Sequence, residues 1–461
     1  AGQAPWAIVV TSAQSTVVPE HVFNAGLGAI YAVRTSGSVA DPATIASIEY
    51  AAEHLGVPLC VVLVPRDGDE LRALAAAGSA TTGGARLLSR LRPAFERAAR
   101  EGYESDALFA RAAEESAHET VAECMRRSAV LRELVRLGQF DIVPALYSAD
   151  DGTVTFLPRR APPDASPDVR PAATGPRTAL PPHVALAMLQ AGHLRFLAGT
   201  NGRGDLSADR RRAEPRPYAV VLADADSRLP PEHVFDAGLG DLAVVRVAGC
   251  VLDEEVIGSI EHAVRGGIGL VVVLAPDRCG LIELVARRTE ARPWTPSMDA
   301  AADWLMPSIL EAQQEGARGD ALVGAAVRCN VRRTVRELCT RSPYLHGLVE
   351  RGELGVLGGV YRLADGEIEW LHEGRTGFGK RGTGSPAAAA VPPAPAAEPA
   401  PAADTPQAPE RVVPPPGGAP VDADPPQRRS LVAMLCINIG VLALGGLAAF
   451  LFLRVGERPQ T

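Results

Sequence analysis

The feature that most constrains this chain is an internal repeat, which extends from Ala1 to Leu371. Short blocks recur in the same order, so that Phe23, for example, returns as Phe235, 212 positions later. The matching blocks are Pro5–Val10 and Pro217–Leu222, Pro19–Phe23 and Pro231–Phe235, Gly26–Gly28 and Gly238–Gly240, Ser47–Glu49 and Ser259–Glu261, and Gly152–Leu157 and Gly366–Leu371. An internal repeat means that one structural unit is built more than once. The sequence therefore predicts two copies of one fold, residues 1–157 (repeat 1) and residues 181–374 (repeat 2), with a Pro/Arg/Ala-rich linker at 158–180.

Within each repeat, apolar runs alternate with segments of helical pattern. Ala219–Leu222 and Leu270–Leu274 are continuous apolar runs, which is typical of strands buried on both faces of a parallel sheet. Pro231–Ala237 and Glu254–Arg265 suit the helices between and after them. The equivalent apolar runs of repeat 1 are Ala7–Val10 and Leu59–Val64. This alternation predicts an α/β fold with a mostly parallel sheet flanked by helices.

Residues 220–280 carry the pattern of a known zinc enzyme. Asp224, Asp226 and Arg228 follow the first apolar run of repeat 2 at alternate positions, and Cys279-Gly280 follows a later one. This order and spacing resemble the β-class carbonic anhydrases, which carry Cys-x-Asp-x-Arg and Gly-His-x-x-Cys-Gly at these places. The resemblance implies two β-carbonic-anhydrase-like domains. Because subunits of that family pair around their active sites, it also implies an intrachain pseudo-dimer and allows for a homo-oligomer.

The resemblance places Asp224 at the first zinc cysteine, Pro276 at the zinc histidine and Cys279 at the last zinc cysteine. Proline has no side-chain donor atom, whereas a catalytic zinc needs three protein ligands and an open position. We therefore expect no bound metal, with Asp224 and Cys279 as remnants of the metal site. Asp226 and Arg228 match the catalytic dyad of the family, and we interpret them as a structural ion pair.

Repeat 1 departs further from the family. It carries Ser12, Pro65 and Gly68 at the three ligand positions, and Gln14 and Thr16 at the two dyad positions. No family zinc site is therefore expected there. The family also has an N-terminal helical arm that embraces the partner subunit. The resemblance assigns 183–198 as this arm for repeat 2 and leaves repeat 1 without one.

The C-terminal part of the chain has a different composition. Residues 375–427 are rich in Pro, Ala and Gly with few large apolar side chains, which predicts a disordered tether. Leu431–Leu453 is apolar and exceeds the roughly 20 residues that one membrane-spanning helix needs. Residues 428–461 are therefore predicted to be a single-pass membrane anchor. Arginines flank it on both sides and do not select an orientation, and we expect the folded domains on the cytoplasmic side.

Charge and cysteine content exclude several classes. The net charge is −8, and no basic stripe marks a nucleic-acid-binding surface. The seven cysteines form no Cys-x-x-Cys pair, which argues against a zinc ribbon or a disulfide framework.

Three functions remain open at the level of sequence, and whether the chain is an enzyme is open with them. The first, which we favour, is a membrane-tethered pseudoenzyme that serves as a scaffold or binding module for an unidentified protein partner. The second is an active carbonic anhydrase whose zinc site in repeat 2 is rebuilt from Asp224, Asp226 and Cys279. The third is a bicarbonate or anion sensor that uses Arg228 or Arg246 without metal.

Overall fold

A computed structural model describes residues 3–160, 207, 211 and 215–376, except residues 15, 79, 236 and 288–293, and describes only the backbone of 372–376. The predicted tether at 375–427, the anchor at Leu431–Leu453, the arm at 183–198 and nearly all of the linker lie outside these residues. Within the described part of the chain, no helix combines the length and apolar character needed to cross a bilayer.

Repeat 1 alternates strands and helices as the apolar runs predict. Its elements are β1 (Ala7–Thr11), α1 (Pro19–Val22), β2 (Ile30–Arg34), α2 (Pro42–Glu49, continued by a π-helical turn Tyr50–His54), β3 (Leu59–Pro65), α3 (Asp69–Ala77), α4 (Thr82–Arg100), α5 (Ser105–Arg127), α6 (Ala129–Arg136), β4 (Asp141–Tyr147) and β5 (Val154–Phe156).

Repeat 2 has the same order of elements. They are β6 (Ala219–Asp224), α7 (Pro231–Val234), β7 (Leu242–Val247), α8 (Glu254–Val264), β8 (Leu270–Pro276), α9 (Gly280–Ala286), α10 (Pro296–Gln314), α11 (Asp320–Arg341), α12 (Pro343–Glu350), β9 (Gly355–Tyr361) and β10 (Ile368–Thr376). The helix expected at Pro231–Ala237 is shorter than predicted, because Phe235 leaves the helical conformation.

Equivalent residues cap equivalent helices, which fixes the register between the two repeats. Thr81 and Thr295 accept a backbone N–H at the starts of α4 and α10. Ser128 and Ser342 do the same for α6 and α12. Threonine and serine hydroxyls stabilise helix starts by satisfying amides that have no partner inside the helix. In this part of the fold, equivalent residues are therefore 214 positions apart (295 − 81).

The strands of both repeats form one ten-stranded sheet, in the order β10-β9-β8-β6-β7-β2-β1-β3-β4-β5. Within each repeat four neighbouring strands run parallel, and a final antiparallel strand closes each outer edge. The two halves join where β2 and β7 pair antiparallel, through Arg34 and Arg246. This continuous sheet is the intrachain pseudo-dimer that the repeat predicts.

The hydrophobic core has one shared layer and two separate ones. Side chains from one face of the sheet in both repeats, such as Val62 and Val273, belong to a single buried cluster with the long helices. Alternate residues on the opposite face form one cluster in each repeat, around Val61 in repeat 1 and Val272 in repeat 2. Such alternation follows from the two-residue period of a strand. The shared layer means that the two repeats do not have the fully independent cores expected from chain length.

Two buried ion pairs cross the junction of the repeats in equivalent positions. Arg34 pairs with Glu232, and Arg246 Nη1 lies 2.7 Å from Glu20 Oε1. The rings of His21 and His233, which are themselves equivalent, lie 5.4 Å apart. A residue lies beside its own equivalent only close to an approximate two-fold axis. This axis therefore passes close to the two histidines.

Candidate functional site

The candidate site of repeat 2 lies at the ends of two neighbouring parallel strands. Asp224 is the last residue of β6, and Cys279 caps α9 just after β8. Because β6 and β8 pair in parallel, their ends meet at one edge of the sheet, and both side chains are buried there. The Asp224 carboxyl group and the Cys279 thiol lie close enough together that each shifts the pKa of the other. The structure therefore brings together the two remnant ligands that the sequence identifies.

Asp224 is held by the backbone as well. Its Oδ1 accepts the N–H of Asp226 at 3.0 Å, and its Oδ2 accepts the N–H of Gly249 at 3.2 Å. Burial, with a smaller contribution from the Asp226 carboxylate, raises the pKa of Asp224 to about 6. Burial and the nearby Asp224 also raise the pKa of Cys279. The thiol is therefore protonated at neutral pH.

The zinc site of the family does not fit the residues present. Pro276 ends β8 and pairs with Tyr361 of β9, where it offers no donor atom. Among the described residues, the only three His, Cys, Asp or Glu side chains whose ligand atoms all come within 4.8 Å are Glu311, Glu315 and Cys329, on α10 and α11. The site around Asp224 thus supplies two neighbouring groups, Asp224 and Cys279, where a catalytic zinc needs three protein ligands.

Asp226 and Arg228 form the ion pair that the sequence predicts. Arg228 Nε and Nη2 donate to Asp226 Oδ1 and Oδ2 at 2.9 and 2.6 Å, a bidentate arrangement. The Asp226 carboxylate is buried, and the Arg228 side chain is 23% exposed. With the Nε–Nη2 edge of the guanidinium engaged in this way, the pair fixes the turn after β6.

Arg246 lies away from this site. Its guanidinium is fully buried at the junction of the repeats, where it donates to Glu20 Oε1 and, at 3.0 Å, to the backbone carbonyl of Asp226. An arginine that is already bound to a carboxylate in the core has no face left for bicarbonate. The geometry therefore gives no support to an anion sensor based on Arg246.

Sequence reasoning missed the side chains that repeat 1 contributes to this site. Gln3 Oε1 accepts hydrogen bonds from the backbone N–H and the hydroxyl of Ser227, both at 3.1 Å. The Tyr50 hydroxyl lies so close to Gly280 that an added Cβ would approach it to 2.0 Å. Burial, together with Cys279 and Asp224, raises the pKa of Tyr50. The sequence signal that could have drawn attention to Tyr50 is the internal repeat, because repeat 2 has a different residue, His262, at the equivalent position.

The loops that border the two sites differ in the solvent exposure of one apolar side chain. Near the repeat 2 site, the Gly28 N–H donates to the carbonyl of Ser227 at 2.8 Å, and the neighbouring Leu27 is 64% exposed. Its equivalent, Leu239, is 3% exposed. The loop that borders the repeat 2 site therefore presents an apolar side chain to solvent, whereas the matching loop is packed.

In repeat 1, the carboxyl group of Glu70 lies where repeat 2 has that of Asp224. Glu70 is buried close to Gly37 and to the hydroxyls of Ser12 and Ser36, and its Oε1 has no hydrogen-bond partner. Gly37 is equivalent to Gly249, which donates to Asp224 in repeat 2. Burial raises the pKa of Glu70 to about 7. Because Glu70 comes from α3 rather than from a strand end, the loss of the family motif at Ser12 did not reveal it.

The three ligand positions of repeat 1 are closed off by neighbouring residues or lack a side chain that could bind a metal. A Cβ added at Gly68 would lie 2.4 Å from the carbonyl oxygen of Phe109, so α5 closes over the place of the last cysteine. Pro65 ends β3 just as Pro276 ends β8. Ser12 Oγ accepts the N–H of Gln14 at 2.9 Å instead of facing an open site. The expectation that repeat 1 lacks the family ligand set agrees with this arrangement.

Comparison with known proteins accounts for both repeats. The family model described as carbonic anhydrase matches residues 7–154 and 219–368. Carbonic anhydrase 2 of Mycobacterium tuberculosis is 36% identical over 191 residues, which cover 40% of this chain and 90% of that protein. A carbonic anhydrase of Mycolicibacterium smegmatis is 35% identical over 194 residues, covering 41% of this chain and 92% of that protein. Among solved structures, the β-carbonic anhydrase CcaA matches with a TM-score of 0.36 and 21% identity, over 40% of this chain and 94% of that chain.

The chain therefore belongs to the carbonic anhydrase family, in its β class, and carries the family domain twice. Each relative spans little more than one repeat. The fold and the tandem arrangement follow from this membership, whereas the chemistry depends on the residues described above.

Proposed function

We propose that this chain is a non-catalytic carbonic anhydrase relative, in which the paired repeats act as a scaffold or binding module. The observation that carries the proposal is the set of residues at the three ligand positions of repeat 2. A buried carboxyl group (Asp224) lies beside a buried thiol (Cys279), and proline occupies the third position. Hydration of CO₂ by this family depends on a zinc-bound hydroxide, which requires the complete ligand set.

The difference between the repeats supports the same proposal. Repeat 1 keeps neither ligand nor dyad, and the buried Glu70 lies in the place of its metal site. Repeat 2 keeps Asp226 and Arg228, which form a bidentate ion pair. Neither repeat therefore keeps the family's complete set of ligands and dyad residues.

The activity test is CO₂ hydration by the full-length chain, followed by stopped-flow with a pH indicator, with and without added zinc. The expected result is a rate equal to the buffer background in both conditions. Hydration above background that rises with added zinc and is lost in Cys279→Ser would show instead that the carbonic anhydrase with a remodelled site is correct.

We also propose that Leu431–Leu453 anchors the binding module to a membrane, on the strength of its length and apolar composition. The full-length chain is expected in the membrane fraction of expressing cells, whereas a chain ending at 427 is expected in the supernatant. Equal fractionation of the two would refute the anchor.

A further inference from the structure

The two repeats carry equivalent grooves on their outer helices. The repeat-1 groove lies between α4, α5 and α6, and the repeat-2 groove lies between α10, α11 and α12. The residues that line them correspond at a separation of 214 positions: Arg97, His118, Val121, Met125 and Val135 in the repeat-1 groove, and Glu311, Arg332, Val335, Cys339 and Val349 in the repeat-2 groove.

The repeat-1 groove receives the chain that follows β5. Arg159 pairs with Asp141, and the Arg160 guanidinium donates to both carboxylate oxygens of Glu115 at 2.6 and 2.5 Å. Glu115 is fully buried, and Arg160 holds its pKa down to about 2. With the two arginines in place, the remaining cavity measures about 250 Å³. A bidentate arginine–carboxylate pair thus anchors a peptide segment in this groove.

The repeat-2 groove is much larger. Its cavity measures about 920 Å³, and among the described residues its lining comes from α10, α11 and α12 alone. A volume of this order is at the upper end of what ligand-binding clefts offer, roughly 300–1,000 Å³. No residue in the described part of the chain fills on repeat 2 the space that the arginine-bearing segment fills in repeat 1.

Negative charge is kept at the same place, although from another helix. Cys329 is the equivalent of Glu115, which removes the anchoring carboxylate from α11. Glu311 and Glu315 of α10 bring carboxylate oxygens to within 4.8 Å of the Cys329 sulfur, and Glu311 stands where repeat 1 has Arg97. Their side chains are 44% and 55% exposed, so a ligand in the groove can reach them.

This cluster already contacts one guanidinium. Arg332 Nη2 lies 3.6 Å from Glu315 and 3.9 Å from Glu311, and 3.3 Å from the Cys329 sulfur. Among the described residues that line the groove, the carboxylates are Glu311, Glu315 and Glu350 and the arginines are Arg332 and Arg336, which leaves one carboxylate in excess. The groove therefore offers a carboxylate to a further cation, as the repeat-1 groove does to Arg160.

We propose that the repeat-2 groove binds an extended, arginine-bearing peptide segment of a partner protein, in the way that the repeat-1 groove holds Arg159 and Arg160. Glu311 and Glu315 receive the guanidinium, and the apolar side chains of Val335 and Val349 line the remainder of the groove. This inference rests on the proposed role as a binding module and names the chemistry of its partner. It does not depend on the state of the metal site, so the CO₂ hydration assay and the peptide experiment can fail separately.

The experiment is a fluorescence anisotropy titration of the full-length chain with a labelled peptide of the sequence of residues 155–162, Thr-Phe-Leu-Pro-Arg-Arg-Ala-Pro. Saturable binding that weakens with salt is expected, because the pairs are partly exposed. Glu311→Gln combined with Glu315→Gln is expected to weaken binding at least about tenfold. Glu367→Gln, which removes an exposed carboxylate outside the groove, is the matched control and should leave binding unchanged.

A second peptide with both arginines replaced by glutamine tests whether the guanidinium groups are recognised, and it should not bind measurably. The proposal is overturned by absence of saturable binding, by equal affinity of the glutamine peptide, or by unchanged affinity of the Glu311→Gln, Glu315→Gln variant. Equal thermal unfolding temperatures of this variant and the parent exclude a loss of fold as the cause.

Discussion

At the scale of single residues, repeat 2 has a buried carboxyl group where the family carries its first zinc cysteine. Asp224 accepts two backbone N–H groups, and these hydrogen bonds offset part of the cost of burying it. The pKa of about 6 means that the group stays largely ionised at neutral pH and accepts a proton in mildly acidic conditions.

Restoring the family's ligand residues should give repeat 2 the ability to bind zinc. The double variant Asp224→Cys, Pro276→His returns a thiolate and an imidazole to strand ends that already lie beside Cys279. Three ligands on two adjacent strands should bind about one zinc per chain, as in a catalytic site. Elemental mass spectrometry after dialysis against zinc measures this.

The matched control adds Cys279→Ser to that double variant and should lose the zinc again. A folded double variant without zinc would show that the strand ends are not held in the geometry we infer. Pro276→His alone is expected to stay far below one equivalent, because Asp224 remains occupied by its hydrogen bonds.

The contact of Tyr50 with Gly280 gives a second residue-scale prediction. Gly280→Ala would push a methyl group to within 2.0 Å of a hydroxyl on a buried ring, and crowding of this kind costs about 1–3 kcal/mol in the free energy of unfolding. Urea denaturation should show that loss. Combining it with Tyr50→Phe should recover most of the loss, and additive effects would argue against the contact.

At the scale of elements, the closest approach between the repeats is that of α4 and α8. A Cβ at Gly83 would lie 2.5 Å from the backbone nitrogen of Gly258. In the equivalent contact, between α10 and α2, the position of Gly83 is held by Ser297. The two halves of the interface therefore differ in how closely their helices pack.

Gly83→Ala should separate α4 from α8 and lower the free energy of unfolding by about 3 kcal/mol, the upper part of the usual range for overpacking, because backbone atoms cannot turn aside. Ser297→Ala, at the equivalent position of α10, is the control and should have a much smaller effect in the same denaturation experiment. Similar losses for both variants would contradict the difference between the two contacts.

The elements also show what the sequence could predict. Apolar runs located β1, β3, β6 and β8 to within two residues, because strands buried on both faces have no polar positions. The motif spacing located Asp224, Asp226, Arg228 and Cys279. Glu70 and Tyr50 could not be located in this way, since each reaches its site from a helix, and in the case of Tyr50 from the other repeat. The antiparallel pairing of β2 with β7 depends on one residue pair, which leaves no pattern along the chain.

At the scale of the whole molecule, several buried carboxyl groups tie stability to pH. Burial raises the pKa of Glu49 and of Glu70 to about 7, and that of Asp253 to about 6. The unfolded chain releases these protons near pH 4, so between about pH 4 and 7 the folded state binds more protons. The free energy of unfolding therefore falls as pH rises through this window.

Denaturation between pH 5 and pH 8 should accordingly show lower stability at pH 8. Glu70→Gln keeps the hydrogen-bonding shape without the charge and should reduce the difference by roughly 1–3 kcal/mol. Glu367→Gln, an exposed carboxylate, should leave the difference unchanged. Stability that rises toward pH 8 would contradict the raised pKa values of the buried groups.

Tandem pairing keeps both repeats at high effective concentration, which favours their association whether or not a metal is bound. The most direct test of this account is the zinc content of the full-length chain, measured by elemental mass spectrometry after purification without chelators or added zinc. Far less than one zinc per chain is expected, with no change in Cys279→Ser. About one zinc per chain that disappears in Cys279→Ser would contradict the loss of the metal site.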